Sequence, residues 1–581
     1  MKNNYTKYLL VLLVALQTTV AISQEKPNLP HYLTETEKGL ISDFQFTSTR
    51  YSPPPSGPVR AAAEWEEVEY LLVTWNPAYP IILRQIVQAG VQECKVIITT
   101  QNQASVSNYL TTNGVDLTNV IFMNAPWNSI WIRDYAGNTI YSDDVGELAL
   151  SDWIYNRPRP SDDVMPTAHA TQAGIPIYVT NSGTNDLVNT GGNYMSDGLG
   201  NAFASKLVLD ENAAGNPYGV SVKTEAQIDG IMQEYMGINR YIKMETLPYD
   251  LIHHIDMHMK LLDEETILVS KYPTGVADGP QIEANIQYVL DNFESPFGTP
   301  YNIEWIDAPP SVGGNYPDTG GPYNTYSNAI FVNKTIMVPI YRPAVDGPAL
   351  AKYQELLPGY NVVGIDVDNP GENLISSSGA IHCITHTIGV SEPLWIVHQP
   401  IDEANAGSTV TIEALIKHIS LIEQAKVFWR EEGETTYNEI VMEPTNSDYW
   451  TADLTIPNTN NIEYYLWAKS FSGKEINRPI VAPEGYWTIQ VETLSVEEWA
   501  QKHISAAFPN PTSGKVSFKM NAIQGEVSVK IHNLLGQKLY EAIVESGDGK
   551  ITLDLNQNWQ GTLLVSFEGE FGKIHRKVIK L

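Results

Sequence analysis

The segment Ser378-Gly379-Ala380-Ile381-His382-Cys383 holds one of only two cysteines among 581 residues. Two earlier stretches carry complementary side chains, Trp131-Ile132-Arg133-Asp134 and His253-His254-Ile255-Asp256-Met257-His258. A thiol, a histidine and two carboxylates are the groups needed for covalent attack on a cationic carbon. The sequence therefore predicts a nucleophilic site assembled from segments that lie far apart along the chain.

Strand-like landmarks of similar character recur along the chain. They fall at Asp134, Asn193, Asp256, Asn328 and Cys383, with spacings of 59, 63, 72 and 55 residues. Short apolar strands, long loops and helical patterns lie between them. Regular spacing of this kind is typical of tandem or radial repeats. The sequence thus predicts an α/β domain built from repeated units that mix strands with a helix.

The stretch 253–258 is predicted to be a strand, in which residues two apart face the same side. His254, Asp256 and His258 would then point into one space. Taken alone, this pattern fits a core histidine satisfied by a carboxylate, a catalytic pair or a metal site. Metal is the weakest of the three readings, because alternate residues of one strand diverge along its length whereas zinc needs ligands arranged around it.

Composition limits both the architecture and the partners. A chain of 581 residues exceeds what one hydrophobic core supports, since cores stop growing at about 250–300 residues. The formal charge of −31 argues against nucleic acid, whose phosphates need a basic surface. An acidic surface instead favours the approach of cationic substrates.

The beginning of the chain has the pattern of a signal peptide. Lys2 and Lys7 precede an apolar run at 9–16, and small residues at 21–23 suggest a cleavage site. Residues 1–23 are therefore predicted to direct export, and no later segment has the length or purity of a transmembrane helix. In an exported chain, two cysteines are too few for a disulfide framework. We expect Cys94 to be a buried structural thiol and Cys383 the reactive one.

Composition changes along the chain suggest the domain boundaries. Residues 24–60 are polar and rich in proline, and we interpret them as a propeptide or extended lead-in rather than packed core. A domain of repeated units follows at 61–393. Alternating strand patterns then predict a β-sandwich at 394–492, a linker at 493–502 and a second all-β module at 503–581.

The last module resembles the C-terminal sorting domain of type IX secretion in Bacteroidetes. The resemblance rests on Pro-Asn-Pro at 509–511, Asn-Leu-Leu-Gly at 533–536 and the basic terminal strand. It implies the type IX secretion machinery as a partner and the cell surface of a Gram-negative bacterium, or the medium, as the location.

The order of motifs in residues 60–393 resembles the guanidino-group-modifying enzymes, or penteins. The motifs are Trp-x-Arg-Asp, Thr-Gly-Gly-Asn at 190–193, His-x-Asp and Gly-Ala-Ile-His-Cys. Within that superfamily the match is to the agmatine deiminases and the bacterial peptidylarginine deiminases. The resemblance implies a fivefold pseudo-symmetric ββαβ propeller with no cofactor. The Ig-like sandwich and sorting domain behind it match the exported peptidylarginine deiminase rather than agmatine deiminases.

Carried over residue by residue, the resemblance implies Cys383 as nucleophile and His254 as general acid and base. Asp134 and Asp256 would bind the guanidinium nitrogens, and Asn328 would line the same site. Two carboxylates can grip a planar guanidinium and hold its carbon over the sulfur. The same carboxylates should raise the pKa of Cys383.

Arg157 and Arg159, in the stretch Arg-Pro-Arg-Pro, distinguish between substrates. Arginines beside a site for a cation are explained if an anionic group is bound too, and the resemblance assigns such a pair to the carboxylate of a C-terminal arginine. Thr190 also stands where agmatine deiminases usually have an acidic residue. Trp127, which begins the aromatic run before Asp134, is a further predicted substrate contact.

The sequence thus predicts a secreted hydrolase that converts C-terminal peptidyl-arginine to citrulline and ammonia through a cysteine thiouronium. Two alternatives remain: a deiminase of agmatine or another small guanidine, and an inactive surface-binding propeller.

Overall fold

The computed structural model describes residues 28–46, 52–180, 183–445, 448–457, 460–492, 503–520, 526–545, 549–569 and 572–581. The predicted signal peptide at 1–23 and the predicted linker at 493–502 lie outside the described residues. None of the described helices is long and apolar enough to cross a bilayer.

The N-terminal domain contains five sheets that repeat one pattern. In each sheet an antiparallel strand pair is followed by a parallel partner, and helical segments make the crossover between the parallel strands. The strands, sheet by sheet, are Val59–Ala61, Asn138–Ser142, Leu148–Asp152 and Ile177–Val179; Met195–Ser196, Asn201–Ser205 and Arg240–Met244; Met259–Leu261, Thr266–Lys271 and Asn302–Asp307; Ile330–Val332, Thr335–Ile340 and Asn361–Asp366; His386–Gly389, Val68–Thr74, Lys95–Thr99 and Val120–Met123.

The last of these sheets joins the two ends of the domain, because His386–Gly389 pairs antiparallel with Val68–Thr74. A further two-stranded parallel pair links Ile154–Tyr155 with Val188–Asn189. The predicted α/β architecture of repeated strand–helix units is therefore confirmed.

Helices cover these sheets with amphipathic faces. In Pro80–Gly90 a proline occupies the first turn, and the apolar side chains of residues 82, 83, 86 and 87 are all buried. This spacing follows the period of an α-helix. The α-helices are Glu35–Leu40, Pro80–Gly90, Gln103–Thr112, Ile132–Tyr135, Pro160–Asp163, Met165–Ala173, Leu207–Asp210, Glu225–Met236, Gly279–Asn292 and Pro343–Leu356.

Two all-β units follow, as predicted. The first packs two sheets around a shared apolar core that includes Ile412, Val427 and Leu466. One sheet contains Trp395–Val397, Thr409–Lys417, Glu443–Pro444 and Tyr449–Thr455; the other contains Glu403–Asn405, Ile422–Glu431, Asn438–Val441, Ile462–Ser470, Glu475–Arg478 and Trp487–Glu492.

The second unit has its own core, in which the rings of Phe518 and Phe567 meet edge to face with centroids 4.9 Å apart. A strand pair packs with a four-stranded antiparallel sheet. The pair is Lys515–Lys519 and Lys550–Asp554, and the sheet contains Glu526–Asn533, Lys538–Glu545, Gly561–Gly569 and Gly572–Lys580.

The lead-in differs from expectation. Residues 28–46 pack against the N-terminal domain and form the helix Glu35–Leu40 and a 3₁₀ turn at Ile41–Asp43. Thr34 and Glu37 cap the helix reciprocally in a capping box. Ile41 and Phe46 are buried in an apolar cluster with Tyr218. This polar stretch is therefore ordered because its few apolar side chains are buried against the neighbouring domain.

Candidate active site

Five chain segments meet in the N-terminal domain, one from each of its five sheets. Each segment directly precedes a strand of its sheet. They are the turns Ile132–Tyr135, Gly191–Asn193, Ile255–Met257 and His382–Ile384, and the residue Asn328. The first turn contacts the second and the last, and the second contacts the third. Asn328 closes the ring by donating hydrogen bonds to the Asp256 carbonyl at 3.1 Å and to Cys383 Sγ at 3.3 Å. The five sequence landmarks are thus neighbours in space.

The signature stretches are turns rather than the predicted strands. His254 is extended, but residues 255–257 form a 3₁₀ turn. His258 consequently leaves the site, and its Nε2 lies 3.0 Å from Asp250. The triple of His254, Asp256 and His258, which the sequence left open as metal ligands, is therefore not assembled. A tight turn, and not the predicted pleated strand, brings His254 and Asp256 together, so the strand prediction for residues 253–258 is wrong.

Cys383 is fully buried on the turn His382–Ile384. Its Sγ lies 3.3 Å from Nδ2 and 3.5 Å from Oδ1 of Asn328, and the thiol donates to Oδ2 of Asp256 at 3.6 Å. Burial raises the pKa of Cys383 well above its usual range, and the charges of Asp256 and Asp134 raise it further. The expected direction is confirmed, with burial as the largest cause. Cys94 is also a free thiol.

Asp256 is held by a chain of buried ionic contacts. Its Oδ2 lies 2.8 Å from Nδ1 of His382, whose Nε2 lies 2.7 Å from Glu64. Lys260 donates to Glu64 at 2.7 Å. Burial opposes ionisation of Glu64, but Lys260 and His382 bring its pKa well below the usual range. These contacts fix Oδ2 of Asp256 and leave Oδ1 facing the site.

His254 and Asp134 form the opposite wall, with His254 Nδ1 3.5 Å from Asp134 Oδ1. Burial lowers the pKa of His254 to about 4, although Asp134 opposes the shift, so the ring is neutral near neutral pH. Gly192 permits this approach, because a Cβ there would lie 2.5 Å from His254 Nδ1. Among the described residues, Oδ1 of Asp134, Oδ1 of Asp256 and both nitrogens of His254 are buried without a hydrogen-bond partner. These atoms can receive or exchange protons with a polar ligand.

Arg157 and Arg159 are buried rather than projecting from the surface. Nε of Arg157 donates to the His31 carbonyl at 3.3 Å, and Nε of Arg159 donates to Glu37 at 2.7 Å. The structure therefore places both arginines beside the lead-in. Trp127 packs in the apolar cluster that includes Tyr155, and its part in substrate binding stays a prediction.

Sequence reasoning missed His31, which enters the site from the lead-in. Its Nε2 lies 2.6 Å from Oδ2 of Asp134, and its Nδ1 lies 2.8 Å from the Ser378 carbonyl. Trp131 stacks on the imidazole, with centroids 4.4 Å apart and planes 9° from parallel. His31, Asp134 and His254 lie close enough to suggest a metal site. In the structure, however, Nε2 of His31 lies at hydrogen-bond distance from Asp134, and its Nδ1 faces the Ser378 carbonyl.

Gly379 is a second feature that the sequence did not single out. A Cβ at this position would lie 2.5 Å from the Trp131 ring and 3.0 Å from the His31 ring. The absence of a side chain therefore leaves room for a flat group between Trp131 and Cys383.

Known proteins share the fold of the N-terminal domain. A solved structure provisionally named agmatine deiminase aligns over 59% of this chain and 100% of its own, with a TM-score of 0.50 and 19% identity. The C. jejuni agmatine deiminase aligns over 57% of this chain and 96% of its own, with a TM-score of 0.46 and 21% identity. A Shewanella sp. protein, also provisionally named agmatine deiminase, is 26% identical over 289 residues, which are 45% of this chain and 74% of its own. The fold is that of the deiminases, which hydrolyse C–N bonds of amidines.

Residues 59–388 match the Porphyromonas-type peptidyl-arginine deiminases, and the chain belongs to that family. Residues 506–581 match the secretion system C-terminal sorting domain. The predicted family and sorting module are thus confirmed. The sorting domain directs secretion to the cell surface through the type IX system.

Proposed function

We propose that this deiminase hydrolyses the guanidinium of C-terminal arginine in peptides or proteins, giving citrulline and ammonia. The observation that carries the proposal is that two carboxylates and two arginines lie near one buried thiol, that of Cys383. Asp134 and Asp256 each have one buried carboxylate oxygen without a hydrogen-bond partner in the part of the chain that the structure describes. Arg157 and Arg159, which are separated by Pro158, lie beside the lead-in that carries His31, and both donate to oxygen acceptors there. A C-terminal arginine carries the matching cation and carboxylate.

The reaction follows from the positions of the acidic groups. A guanidinium held between Asp134 and Asp256 would place its carbon against the sulfur of Cys383, which lies 3.6 Å from Asp256. Neutral His254 accepts the thiol proton as the S–C bond forms, and it passes that proton to the departing nitrogen, which leaves as ammonia. The product of this step is a covalent S-alkylthiouronium.

Water completes the cycle. His254 removes a proton from the water that attacks the thiouronium carbon, and the C–S bond then breaks. The sulfur leaves with a proton, citrulline is released, and ammonia takes up the remaining proton as ammonium. The cationic substrate also offsets the two carboxylates, which otherwise disfavour the thiolate.

Agmatine is the second candidate, and the names of the relatives from Shewanella favour it. Agmatine has the guanidinium but no carboxylate. It would use the carboxylate pair and leave Arg157 and Arg159 without a role in binding.

A citrulline and ammonia assay with three substrates separates the candidates: a peptide ending in arginine, the same peptide amidated, and agmatine. Because His31 lies against Asp134, one of the two carboxylates, the assay uses both the intact chain and protein cut between Phe46 and Ser52. We expect the free-carboxylate peptide to be preferred, and Arg157→Ala with Arg159→Ala to abolish that preference. Equal turnover of the free and amidated peptides would refute carboxylate recognition, and preference for agmatine would support the second candidate.

A further inference from the structure

We propose that residues 28–46 are an intramolecular inhibitor that occupies the deiminase site, with His31 in the place of the substrate guanidinium. We call these residues the inhibitory segment. The inference rests on the proposed function, because it identifies what holds that site closed until the segment leaves.

The imidazole of His31 has the properties of a guanidinium surrogate. Nδ1 faces the Ser378 carbonyl at 2.8 Å, and a carbonyl can only accept, so Nδ1 carries a proton. Nε2 faces Asp134 at 2.6 Å. The charge of His31 also helps to hold the pKa of Asp134 well below its usual range against the effect of burial. Both ring nitrogens thus face oxygen atoms, so the flat ring presents two polar edges where a guanidinium would present its N–H groups.

Aromatic contacts fix the His31 ring in the site. Trp131 stacks flat against the His31 ring, and His254 meets the ring edge to face at 4.9 Å between centroids. Gly379 lies beside both the His31 ring and Cys383, because a Cβ built on it would lie 3.0 Å and 3.2 Å from them. The side chain of His31 is fully buried. Asp134 therefore cannot receive a substrate guanidinium while the ring remains in place.

The segment also occupies the predicted carboxylate subsite. Glu37 accepts from Nε of Arg159 at 2.7 Å and from its Nη2 at 3.3 Å. Nη2 of Arg159 also donates to the Pro30 carbonyl at 2.8 Å. The segment thus places an imidazole against Asp134 and a carboxylate against Arg159. A C-terminal arginine would bring a planar polar group and a carboxylate to the same two side chains.

Backbone and apolar contacts hold the segment in register. The His31 amide donates to the Ser377 carbonyl at 2.9 Å, and the Trp131 indole donates to the Leu29 carbonyl at 2.9 Å. Phe46 meets Tyr218 edge to face at 4.9 Å. Because the segment belongs to the same chain, its binding is intramolecular, and short linkers give effective concentrations on the order of millimolar. A dissolved peptide substrate must compete with the segment at this effective concentration.

The test places a recognition sequence for a site-specific protease at residues 47–51 of the full chain. Two readouts are followed before and after cleavage: alkylation of Cys383 by a cationic haloacetamidine, mapped by mass spectrometry, and citrulline release from a peptide ending in arginine. The uncut variants His31→Ala and Glu37→Ala are compared with Glu35→Ala, whose side chain is exposed. A synthetic peptide of residues 28–46, with and without His31→Ala, is added back to cleaved protein.

We expect cleavage and His31→Ala each to accelerate alkylation of Cys383 about tenfold or more, the effect of losing a buried charge-assisted hydrogen bond. Glu35→Ala should change nothing, and the added peptide should restore inhibition only when it carries His31. Unchanged alkylation overturns the inference whatever the substrate proves to be. Loss of labelling and of thermal stability on cleavage also overturns it, because the segment would then be a structural wall. Faster labelling without turnover of any guanidine supports the inhibitory role of the segment and refutes the proposed function.

Discussion

Asp256→Asn should lower turnover of the substrate and raise the rate at which Cys383 is alkylated. In the structure, His382 lies 2.8 Å from Oδ2 of Asp256, and Oδ1 has no hydrogen-bond partner among the described residues. One carboxylate oxygen is therefore free to accept from the substrate. Loss of one hydrogen bond to a charged group costs about 1.5–3 kcal/mol. We expect kcat/KM for a peptide ending in arginine to fall about ten- to a hundredfold.

The same substitution should make Cys383 more reactive toward neutral iodoacetamide. After burial, the charge of Asp256 is the next largest cause of the raised pKa of Cys383. Removing this charge favours the thiolate. Asp250→Asn is the matched control, since Asp250 is also buried and paired with a histidine, His258, at 3.0 Å. Both rates are measured on protein freed of residues 28–46. A parallel fall of turnover and alkylation would refute the reasoning, because it would indicate general damage to the fold.

Three further predictions concern the pocket, the thiol and the tail. Gly379→Ala should lower kcat/KM about ten- to a hundredfold, because its Cβ would lie 2.5 Å from Trp131. The control Gly347→Ala should have no effect, because a Cβ there would meet no described atom within 4 Å. Equal rates for the two variants would contradict the prediction. Since the pKa of Cys383 is raised, its alkylation by iodoacetamide should be slow at neutral pH and should accelerate as pH rises; fast, pH-independent labelling would be inconsistent with that shift. Deletion of residues 503–581 should leave turnover intact but abolish surface display, and normal display in cell fractionation would count against the sorting role.

The sequence was a good guide to which residues meet, and a poor guide to the local structure that makes them meet. The resemblance to the deiminases, carried by the order of the motifs, predicted that Cys383, Asp256 and Asn328 share a site, and the structure brings the three side chains together. The conformation of residues 253–258 was predicted wrongly. Alternation over six residues cannot distinguish a strand from a turn that precedes one.

The buried supports of the site could not be found from local patterns. His382 reaches Glu64 across 318 residues, and His31 reaches Asp134 across 103. Such contacts depend on tertiary packing and leave no periodic signal in the sequence. For His31 the available signal was weak: a capping box, Thr34 with Glu37, in a stretch otherwise expected to be extended.

Acid quenching during turnover tests the central chemistry most directly. Protein freed of residues 28–46 is mixed with a peptide ending in arginine, quenched in acid and mapped by mass spectrometry. We predict a substrate adduct less one ammonia on the peptide that contains Cys383, and neither adduct nor citrulline with Cys383→Ala. Citrulline formed at an undiminished rate by Cys383→Ala would contradict the account.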